Sequence, residues 1–398
     1  MTNSDFDATR ALFHLPEGMI YLDGNSLGPL PKAATDRTAQ AMQAEWGEML
    51  ITGWNKAGWM DLPHQLGDRI GRLIGAERGS VVVGDTLSLR VYQALGAALA
   101  MTPRRVVLSD TGNFPSDLYM AQGLLGSLGG DHALRVVEPD QIEGALGEDV
   151  GVLMLTEVDY RTGRKHDMAR LSAMAQERGI ITVWDLAHSA GALEVDLVGS
   201  GADFAVGCTY KYLNGGPGAP AFIYVAPRHS ETAHTVLNGW LGHEAPFAFD
   251  PDYRPGGGIA RMRIGTPAIL QMRALEAALD IWDMVEMSDI RQTSIALTEQ
   301  FIQGVEARCP DLQLASPRDP EIRGSQVSFR FDHGYAAMQA LIARGVVGDF
   351  RAPDIMRFGF TPLFIGEVEV DIAIGHIGEI MKDRLWDRPE FHAKQAVT

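Results

Sequence analysis

Asp185 and Lys211 are the two residues of this sequence whose types and spacing most directly suggest chemistry on an amino acid. Asp185 follows an apolar run at residues 180–184, and Lys211 comes 26 residues later, after a second short apolar run. Because parallel strands end at the same edge of a sheet, we expect the two side chains to meet in one cleft. A lysine and a carboxylate in this order suit pyridoxal 5′-phosphate. The lysine forms the Schiff base, and the carboxylate keeps the pyridine nitrogen protonated.

Each of these residues also has an ordinary interpretation. An aspartate at a strand end is often a helix cap or a loop residue, and a single lysine is usually a solvated surface charge. Either residue alone would favour that interpretation. Their order, and the glycines that flank them at 191, 207, 215 and 216, favour the cofactor site instead.

A pyridoxal site also needs an anion cradle and an aromatic ring against the cofactor. Residues 84–89 lie between a predicted strand and a predicted helix, where the helix N-terminus and the Ser88 hydroxyl can receive a phosphate. Phe114 follows the next strand and can lie over a flat ring. The ordinary alternatives are an N-cap for Ser88 and a buried helix-entry residue for Phe114. The sequence has neither a P-loop nor a strand-linked dinucleotide motif, which argues against those two sites.

The elements that must position these residues follow from alternating β-rich runs and helical patterns. Apolar runs without period-two alternation indicate strands buried on both faces, in a mostly parallel α/β sheet whose crossovers are helices. The last two strands are joined by a Gly-rich loop alone, which allows one antiparallel strand. The predicted strands lie at 81–83, 106–108, 134–137, 152–155, 180–184, 204–206 and 221–225, with helices at 89–101, 118–128 and 168–176.

After residue 260 the pattern changes to two long amphipathic helices and a smaller α+β region. We expect helices at 267–287, 288–308, 335–343 and 367–385, with strands near 327–331 and 355–360. The resulting domain prediction is an N-terminal arm and helix that pack on the smaller domain, a large cofactor-binding α/β domain, and a C-terminal α+β domain with a long linking helix. Their predicted bounds are 1–60, 61–265 and 266–398.

Composition restricts the class of protein. The 398 residues include 34 basic and 51 acidic side chains, and the net charge of −17 repels phosphate backbones, so we expect no nucleic-acid partner. Two cysteines cannot form a disulfide framework. No apolar run approaches the roughly 18 residues that span a bilayer, and residues 1–10 lack the apolar core of a signal peptide. We therefore expect a soluble cytoplasmic enzyme with no membrane partner and no metal.

Six motifs make the chain resemble kynureninase, a family of pyridoxal-phosphate enzymes of fold type I, in its bacterial form. The resemblance runs from about residue 15 almost to the C-terminus. It implies hydrolysis of L-kynurenine to anthranilate and L-alanine in tryptophan catabolism or NAD biosynthesis, with 3-hydroxykynurenine cleaved less well to 3-hydroxyanthranilate. The motifs are YLDGNSLG at 21–28, NFPSD at 113–117, WDLAH at 184–188, CTYKYLNGG at 208–216, GWLGH at 239–243 and MRFGFTP at 356–362.

The resemblance implies roles for particular residues of the reacting centre. Lys211 would form the Schiff base and move protons, Asp185 would pair with the pyridine nitrogen, and Tyr210 would assist proton transfer. Arg357 would bind the α-carboxylate of the substrate, where a planar guanidinium fork suits a planar anion. The further substrate contacts would be Trp54, Asn25 and Gly265, and the further cofactor contacts Leu87, Ser88, Phe114, Asp117, Thr156, His188, Trp240 and Thr266.

The resemblance also implies a homodimer whose active sites lie at the subunit interface. Trp240 and Thr266 would reach the cofactor phosphate from the second subunit. Trp54, Gly265 and Thr266 stand where animal members have His, Ser and Asn, which favours unsubstituted kynurenine. Arg90 is unexpected beside the phosphate loop, and the resemblance implies no role for it.

Three other functions compete with this one. A cysteine desulfurase needs a mobile nucleophilic cysteine, and neither Cys208 nor Cys309 fits that role. An aminotransferase of the same fold stays open, because Lys211, Asp185 and Arg357 would serve it equally well. A catalytically silent cofactor-binding regulator would need a DNA-binding module or a disrupted lysine, and the sequence has neither.

Overall fold

The N-terminal segment forms short strands and helices that pack against later parts of the chain. The structure is a computed structural model that describes residues 4–393. A π-helical stretch, Ala41–Glu48, continues the second helix. Leu62–Leu73 buries its apolar face against the central sheet. The elements are α1 (Phe6–Arg10), β1 (Phe13–His14), β2 (Ile20–Tyr21), β3 (Leu30–Pro31), α2 (Lys32–Gln40), α3 (Gly53–Lys56) and α4 (Leu62–Leu73).

Seven strands form the central sheet. They are β4 (Val81–Val83), β5 (Val106–Asp110), β6 (Ala133–Val137), β7 (Val150–Thr156), β8 (Ile181–Asp185), β9 (Phe204–Gly207) and β10 (Phe222–Val225). Their order is β4-β10-β9-β8-β7-β5-β6. β10 pairs antiparallel with both of its neighbours, and the pairs from β9 to β6 are all parallel. The predicted strands and the single antiparallel strand are therefore confirmed.

Apolar side chains cover both faces of this sheet, which explains the absence of alternation in the sequence. Val107, Val152 and Val183 pack on one face, in a cluster that includes residues of α5 and α6. Leu153 and Trp184 belong to the cluster on the other face, with residues of α4 and α8. The crossover helices are α5 (Leu87–Ala100), α6 (Pro115–Leu128), α7 (Ile142–Ala145) and α8 (Met168–Glu177).

The C-terminal part is an α+β unit built on a four-stranded antiparallel sheet. Its strands lie in the order β11 (Gln313–Leu314), β12 (Gln326–Arg330), β15 (Ile355–Gly359) and β14 (Asp349–Arg351). A parallel pair between β2 and β13 joins the N-terminal segment to it. Within residues 4–393, no helix is both long and apolar enough to cross a membrane. The elements are α9 (Ile269–Trp282), α10 (Met287–Arg308), β11 (Gln313–Leu314), β12 (Gln326–Arg330), α11 (Gly334–Ile342), β13 (Val346–Val347), β14 (Asp349–Arg351), β15 (Ile355–Gly359) and α12 (Glu367–Lys382).

Candidate active site

Lys211 lies in the loop after β9, and its amine faces a buried histidine. Lys211 Nζ is 3.0 Å from His188 Nε2. His188 Nδ1 is buried and has no hydrogen-bond partner in the described residues. Burial, followed by the positive charges of Lys211, Arg357 and Arg351, holds the pKa of His188 well below its ordinary value. The imidazole is therefore neutral, and its Nε2 can accept a hydrogen bond from the ammonium group.

Two buried carboxyl groups, Asp185 and Asp117, share a hydrogen bond near Lys211. Burial raises the pKa of Asp117 well above its ordinary value, and the adjacent Asp185 raises it further. Burial also raises the pKa of Asp185, but the Lys211 charge and the backbone N–H of Ala187, which donates to Oδ1 at 2.8 Å, oppose that rise. Asp117 therefore holds the shared proton and Asp185 the negative charge. The spacing of Asp185 and Lys211 correctly predicted that the two would converge.

Two aromatic rings flank the lysine amine. Lys211 Nζ lies 5.9 Å from the ring centroid of Phe114 and 5.8 Å from that of Tyr210. Phe114 is 41% exposed, and its ring meets Tyr160 edge to face at 5.1 Å. Burial and the neighbouring Cys208 raise the pKa of Tyr210, so its phenol keeps its proton. The site thus offers an exposed ring and a phenol donor beside the amine.

The start of α5 forms an open anion cradle. Its N-cap, Thr86, makes no side-chain hydrogen bond to the first turn, and no other side chain of residues 4–393 accepts from the N–H groups of that turn. Leu87 is the first residue of the helix, and Ser88 is the second. The N-cap alternative for Ser88 is therefore wrong. Ser88 Oγ is 3.1 Å from Ser116 Oγ in the first turn of α6, so two hydroxyls lie beside the open N–H groups.

Thr156 lies at the end of β7, opposite Asp185 at the end of β8. Its hydroxyl donates to the carbonyl of Val158 at 3.2 Å and lies 3.4 Å from the carbonyl of Asp185. The side chain is buried. Thr156 therefore braces the backbone on which Asp185 is carried.

Arg90 fixes the backbone of the predicted phosphate loop, a role that sequence reasoning missed. It is buried, its Nε donates to the carbonyl of Gly84 at 3.0 Å, and its Nη1 donates to the carbonyl of Met262 at 2.6 Å. Its Nη2 is 3.5 Å from Asp85 Oδ2, on a residue in the left-handed region with φ 54°. Burial lowers the pKa of Arg90 to about 10, so it stays charged at neutral pH. An arginine directly after a predicted phosphate loop was the available signal.

Arg357 lies on β15 and is tied to a carboxylate of its own chain. Its Nε donates to Asp349 Oδ1 at 2.6 Å, and its Nη2 completes the fork to Asp349 Oδ2. Its Nη2 also donates to Ser26 Oγ at 2.9 Å, and its Nη1 donates to the carbonyl of Tyr160 at 2.5 Å. The expected partner of Arg357 was a substrate, so Asp349 is a residue that sequence reasoning missed.

Asn25 is fully buried beside β15. Its Nδ2 donates to Gln326 Oε1 at 3.3 Å, and its Oδ1 has no hydrogen-bond partner in the described residues. A Cβ at Gly359 would lie 2.2 Å from that oxygen, so the glycine makes room for the amide. The predicted substrate contact at Asn25 stays a prediction.

Trp54 and Trp240 belong to an exposed aromatic cluster. Their ring centroids are 6.4 Å apart, and Phe247 extends the cluster at 5.7 Å from Trp240. Gly265 and Thr266 are also exposed. Trp240, Gly265 and Thr266 are exposed in the single chain and Trp54 is half-buried, whereas the lysine centre is built from the strand ends of the central sheet.

The described residues fit pyridoxal phosphate in chemical type. Asp117 Oδ2 and His188 Nδ1 are buried polar atoms without a hydrogen-bond partner in residues 4–393, and both lie near the lysine. An ionised Asp185 suits a protonated pyridine nitrogen, and the open turn of α5 suits a phosphate. Lys211 supplies the amine. No group of three metal-ligating side chains occurs in the same described range.

Comparison with known proteins relates the chain to one enzyme family. Residues 290–377 match the family described as the kynureninase C-terminal domain. The chain is 49% identical over 397 residues to a kynureninase of Burkholderia pseudomallei (strain 1106a), which covers 98% of this chain and 95% of that protein. A kynureninase of Pseudomonas fluorescens is 48% identical over 397 residues, with the same coverage.

Solved structures share the fold at much lower identity. The apo cysteine desulfurase of Thermococcus onnurineus NA1 has a TM-score of 0.80 at 18% identity, covering 96% of this chain and 100% of that one. A C-DES mutant with glycine covalently linked to its PLP cofactor has a TM-score of 0.79 at 18% identity, covering 93% of this chain and 99% of that one. The likeness at this identity is one of fold, and it confirms the predicted fold type I.

Proposed function

Because the chain belongs to the kynureninase family, we infer that it is a pyridoxal 5′-phosphate-dependent hydrolase that cleaves the Cβ–Cγ bond of L-kynurenine. The products are anthranilate and L-alanine. The observation that supports this reaction most directly is the Lys211 amine, 3.0 Å from a neutral imidazole and close to the buried Asp185–Asp117 pair.

The cofactor, when bound, supplies the electron sink for the carbanion that forms on the substrate. We propose that Asp185 keeps its pyridine nitrogen protonated and that Asp117, which holds the shared proton, fixes the orientation of Asp185. Phe114 would lie against the ring. The N–H groups at Leu87 and the Ser88 hydroxyl would hold the phosphate, because an open helix N-terminus favours an anion.

Lys211 would remove the proton from the α-carbon of the substrate and return protons later in the cycle. The neutral His188 supports this role, since it accepts a hydrogen bond from the amine without adding a second positive charge. Tyr210 keeps its proton and could donate it near the cofactor. The water that attacks the γ-carbonyl would be held among these polar groups.

We propose that the protein is a homodimer whose partner subunit completes each site. The exposed aromatic cluster supports this, because monomers rarely expose so many large apolar side chains together. Trp240 is 38% exposed, and Phe247 and Phe249 are 60% and 79% exposed. An apolar groove between α2 and α9, lined in part by Met42 and Leu270, adds further surface of this kind. Trp240 and Thr266 would then contact the phosphate held by the other subunit.

The cysteine chemistry of the structural neighbours does not suit this chain. Cys208 is buried, its Sγ lies 3.9 Å from the carbonyl of Ala187, and burial raises the pKa of its thiol. Burial likewise raises the pKa of Cys309 to about 11. A desulfurase needs an accessible thiolate, which neither residue supplies. We place the enzyme in the cytoplasm, where reduced cysteines persist, in tryptophan catabolism or NAD biosynthesis.

Purified protein incubated with L-kynurenine is expected to release anthranilate, measured by its blue fluorescence, and alanine in equal amounts. The control is the same assay with cysteine as substrate, which should give no alanine. Transfer of the amino group to a keto acid without anthranilate would instead identify an aminotransferase. Failure to produce anthranilate with the cofactor bound would contradict the proposed reaction.

The substrate preference depends on Trp54, Gly265 and Thr266. If these residues favour the unsubstituted ring, kcat/KM should be higher for kynurenine than for 3-hydroxykynurenine. The measurement is a side-by-side determination with both substrates. Replacing Thr266 with Asn should bring the kcat/KM values for the two substrates closer together. A higher kcat/KM for the hydroxylated substrate in the unmodified enzyme would show that this assignment is wrong.

A further inference from the structure

A cavity outside the lysine centre borders the end of β7 and the start of α8. Its volume is about 540 Å³, within the range of sites that bind small molecules. None of the residues predicted to contact the cofactor or the substrate lines it. Five carboxyl groups and one amine do, those of Glu157, Asp167, Glu194, Asp196, Glu321 and Lys165. The cavity therefore favours a ligand that carries positive charge.

Glu157 is the buried member of this set. It is 5% exposed, and its Oε2 has no hydrogen-bond partner in the part of the chain that the structure describes. Burial raises the pKa of Glu157 to about 7, although Ser189, Lys165 and Arg291 oppose that rise. Burying a carboxyl oxygen without a partner is unfavourable. A cation that donates hydrogen bonds to Glu157 would remove that cost.

The basic side chains of the protein leave this carboxyl group unmatched. Lys165 is close enough to lower the pKa of Glu157, but it forms no ion pair with any carboxylate of residues 4–393. Arg291 also faces three of the carboxyl groups. Its guanidinium is engaged, however, because it donates to the carbonyls of Pro320 and Arg323 at 2.5 and 2.8 Å. Negative charge is therefore in excess around the cavity.

The size and lining of the cavity indicate which kind of cation fits. Its volume is many times the roughly 30 Å³ that one water molecule occupies, and the described residues contain no group of three metal-ligating side chains. Met168, Ala169 and Ile322 add apolar surface, which suits an alkyl chain. Glu194 and Glu321 are exposed whereas Glu157 is buried, so the negative charge lies at two depths. An alkyl chain with an ammonium group at each end matches this distribution.

We propose that this cavity binds an aliphatic diamine, with one ammonium group at Glu157 and the other among the exposed carboxylates. The backbone that carries Glu157 is already fixed. Its N–H donates to the carbonyl of Asp185 at 3.0 Å, and its carbonyl accepts from the N–H of His166 at 2.8 Å. The His166 ring is held in turn, with Nε2 2.6 Å from Asp110 Oδ2. Binding therefore needs little reorganisation of the protein, and it does not depend on the proposed reaction.

A calorimetric titration with 1,4-diaminobutane tests this site. The protein is the holoenzyme reduced with borohydride, because a reduced cofactor stays attached and cannot react with an added amine. The unmodified protein should bind one diamine per chain. Glu157→Gln should weaken binding about 10-fold or more, since a charge-assisted hydrogen bond is lost. Lys165→Met should strengthen binding about 2- to 5-fold, because it removes a repelling charge.

Glu379→Gln is the matched control. Glu379 pairs with Arg344 and does not line the cavity, and its loss removes the same unit from the net charge of −17. The affinity of this variant should change by less than about 2-fold. A second control is 1,4-butanediol, which has the same chain without charge and should not bind.

Four results would overturn the proposal: no saturable binding by the unmodified protein, equal losses in the two glutamine variants, weaker binding in Lys165→Met, or binding of the diol as strong as that of the diamine. If Glu157→Gln does not fold, the double variant Glu194→Gln with Glu321→Gln decides, because both residues are exposed. Its affinity for the diamine should fall about 10-fold or more. An unchanged affinity would contradict the site.

Discussion

At the scale of single residues, the site depends on where protons and charges reside. His188 is neutral because burial and three nearby cations oppose its protonation, so the Lys211 amine has an acceptor that carries no charge. Asp117 keeps the proton that it shares with Asp185. One negative charge therefore remains in a dry environment, where an electrostatic contact is stronger than in water. This is the arrangement that a protonated pyridine ring requires.

Asp23 should make substrate binding sensitive to pH. Burial and Asp349 raise its pKa to about 8, against the opposing charges of Arg357 and Arg351. Below that pH the carboxyl is neutral, and only the Asp349 carboxylate opposes the charges of Arg357 and Arg351. Above it the ionised carboxylate competes with the α-carboxylate of the substrate. We expect KM for L-kynurenine to rise above about pH 8.

The matched variant is Asp23→Asn, which cannot ionise. KM of Asp23→Asn should not rise above pH 8, so the ratio of the wild-type KM to the variant KM should increase with pH. The kcat profiles of the two proteins should stay similar. Tyr21 and Tyr212 also face this group, but burial and the nearby carboxylates keep both phenols protonated in this pH range. Parallel KM profiles for the two proteins would rule out Asp23 as the titrating group.

Part of the site could be predicted from sequence because it depends on strand ends. Thr156 and Asp185 end two neighbouring strands of one parallel sheet and Lys211 follows the next strand, so their convergence follows from topology. Asp349 could not be placed in this way. Its contact with Arg357 depends on the register between β14 and β15, in which Asp349 lies opposite Arg357. Two short strands joined by three residues carry little signal of that register.

At the scale of elements, α5 is the part of the fold that holds the anion cradle. Arg90, one turn into the helix, ties the Gly84 carbonyl to the Met262 carbonyl and so fixes the loop that precedes the helix. A Cβ at Gly84 would lie 2.7 Å from Arg90 Nη2, so that position leaves little room for a larger residue. The N-terminus of the helix can face the phosphate because this loop is held in place.

Arg90→Met should therefore weaken cofactor binding. Gly84 loses its buried donor, which should reduce stability by about 1–3 kcal/mol and increase the dissociation constant of the cofactor about 10-fold. The measurements are the midpoint of thermal unfolding and a cofactor titration by absorbance. Arg261→Met is the control, since Arg261 is likewise buried and donates to the carbonyls of Gly256 at 3.1 Å and Glu231 at 2.7 Å without contacting the loop. The control variant should lose stability and retain its affinity for the cofactor. Equal affinity losses in both variants would contradict the role of Arg90.

The central sheet was predictable because its strands are apolar on both faces, and the N-terminal strands were not. β1, β2 and β3 have two residues each, and β2 pairs with β13 more than 300 residues away. Such strands exist because of tertiary pairing rather than local pattern. Gly28 also makes a tertiary contact that local pattern does not reveal. Its N–H donates to the Tyr210 carbonyl at 2.8 Å, and its missing Cβ lets the N-terminal segment approach the loop that carries Lys211.

At the scale of the whole molecule, we propose that two subunits complete one site. The predicted division at 1–60, 61–265 and 266–398 stays a prediction, and the homodimer is a proposal supported by the exposed aromatic cluster. A shared site has a consequence that a site within one subunit lacks. Two inactive variants can restore activity in a hybrid dimer if their defects lie on opposite sides of the same site.

Mixing Lys211→Ala with Trp240→Ala subunits provides this test. If Trp240 acts across the interface, each hybrid has one intact site, and random exchange should restore about a quarter of the unmixed wild-type activity. The activity is measured before and after refolding the two variants together. The control is a mixture of Lys211→Ala with Lys211→Arg, which should restore nothing. If the first mixture also stays inactive although hybrids have formed, Trp240 does not act in trans.

The attachment of the cofactor to Lys211 is the claim on which all of these arguments depend. Treating the yellow holoenzyme with borohydride should bind the cofactor irreversibly, and peptide mass mapping should then find it on Lys211. Lys211→Arg, which keeps the positive charge, should show no attachment and lose activity by at least about 1,000-fold. Finding the label on a different lysine, or full turnover by Lys211→Arg, would show that Lys211 is not the residue that carries the cofactor.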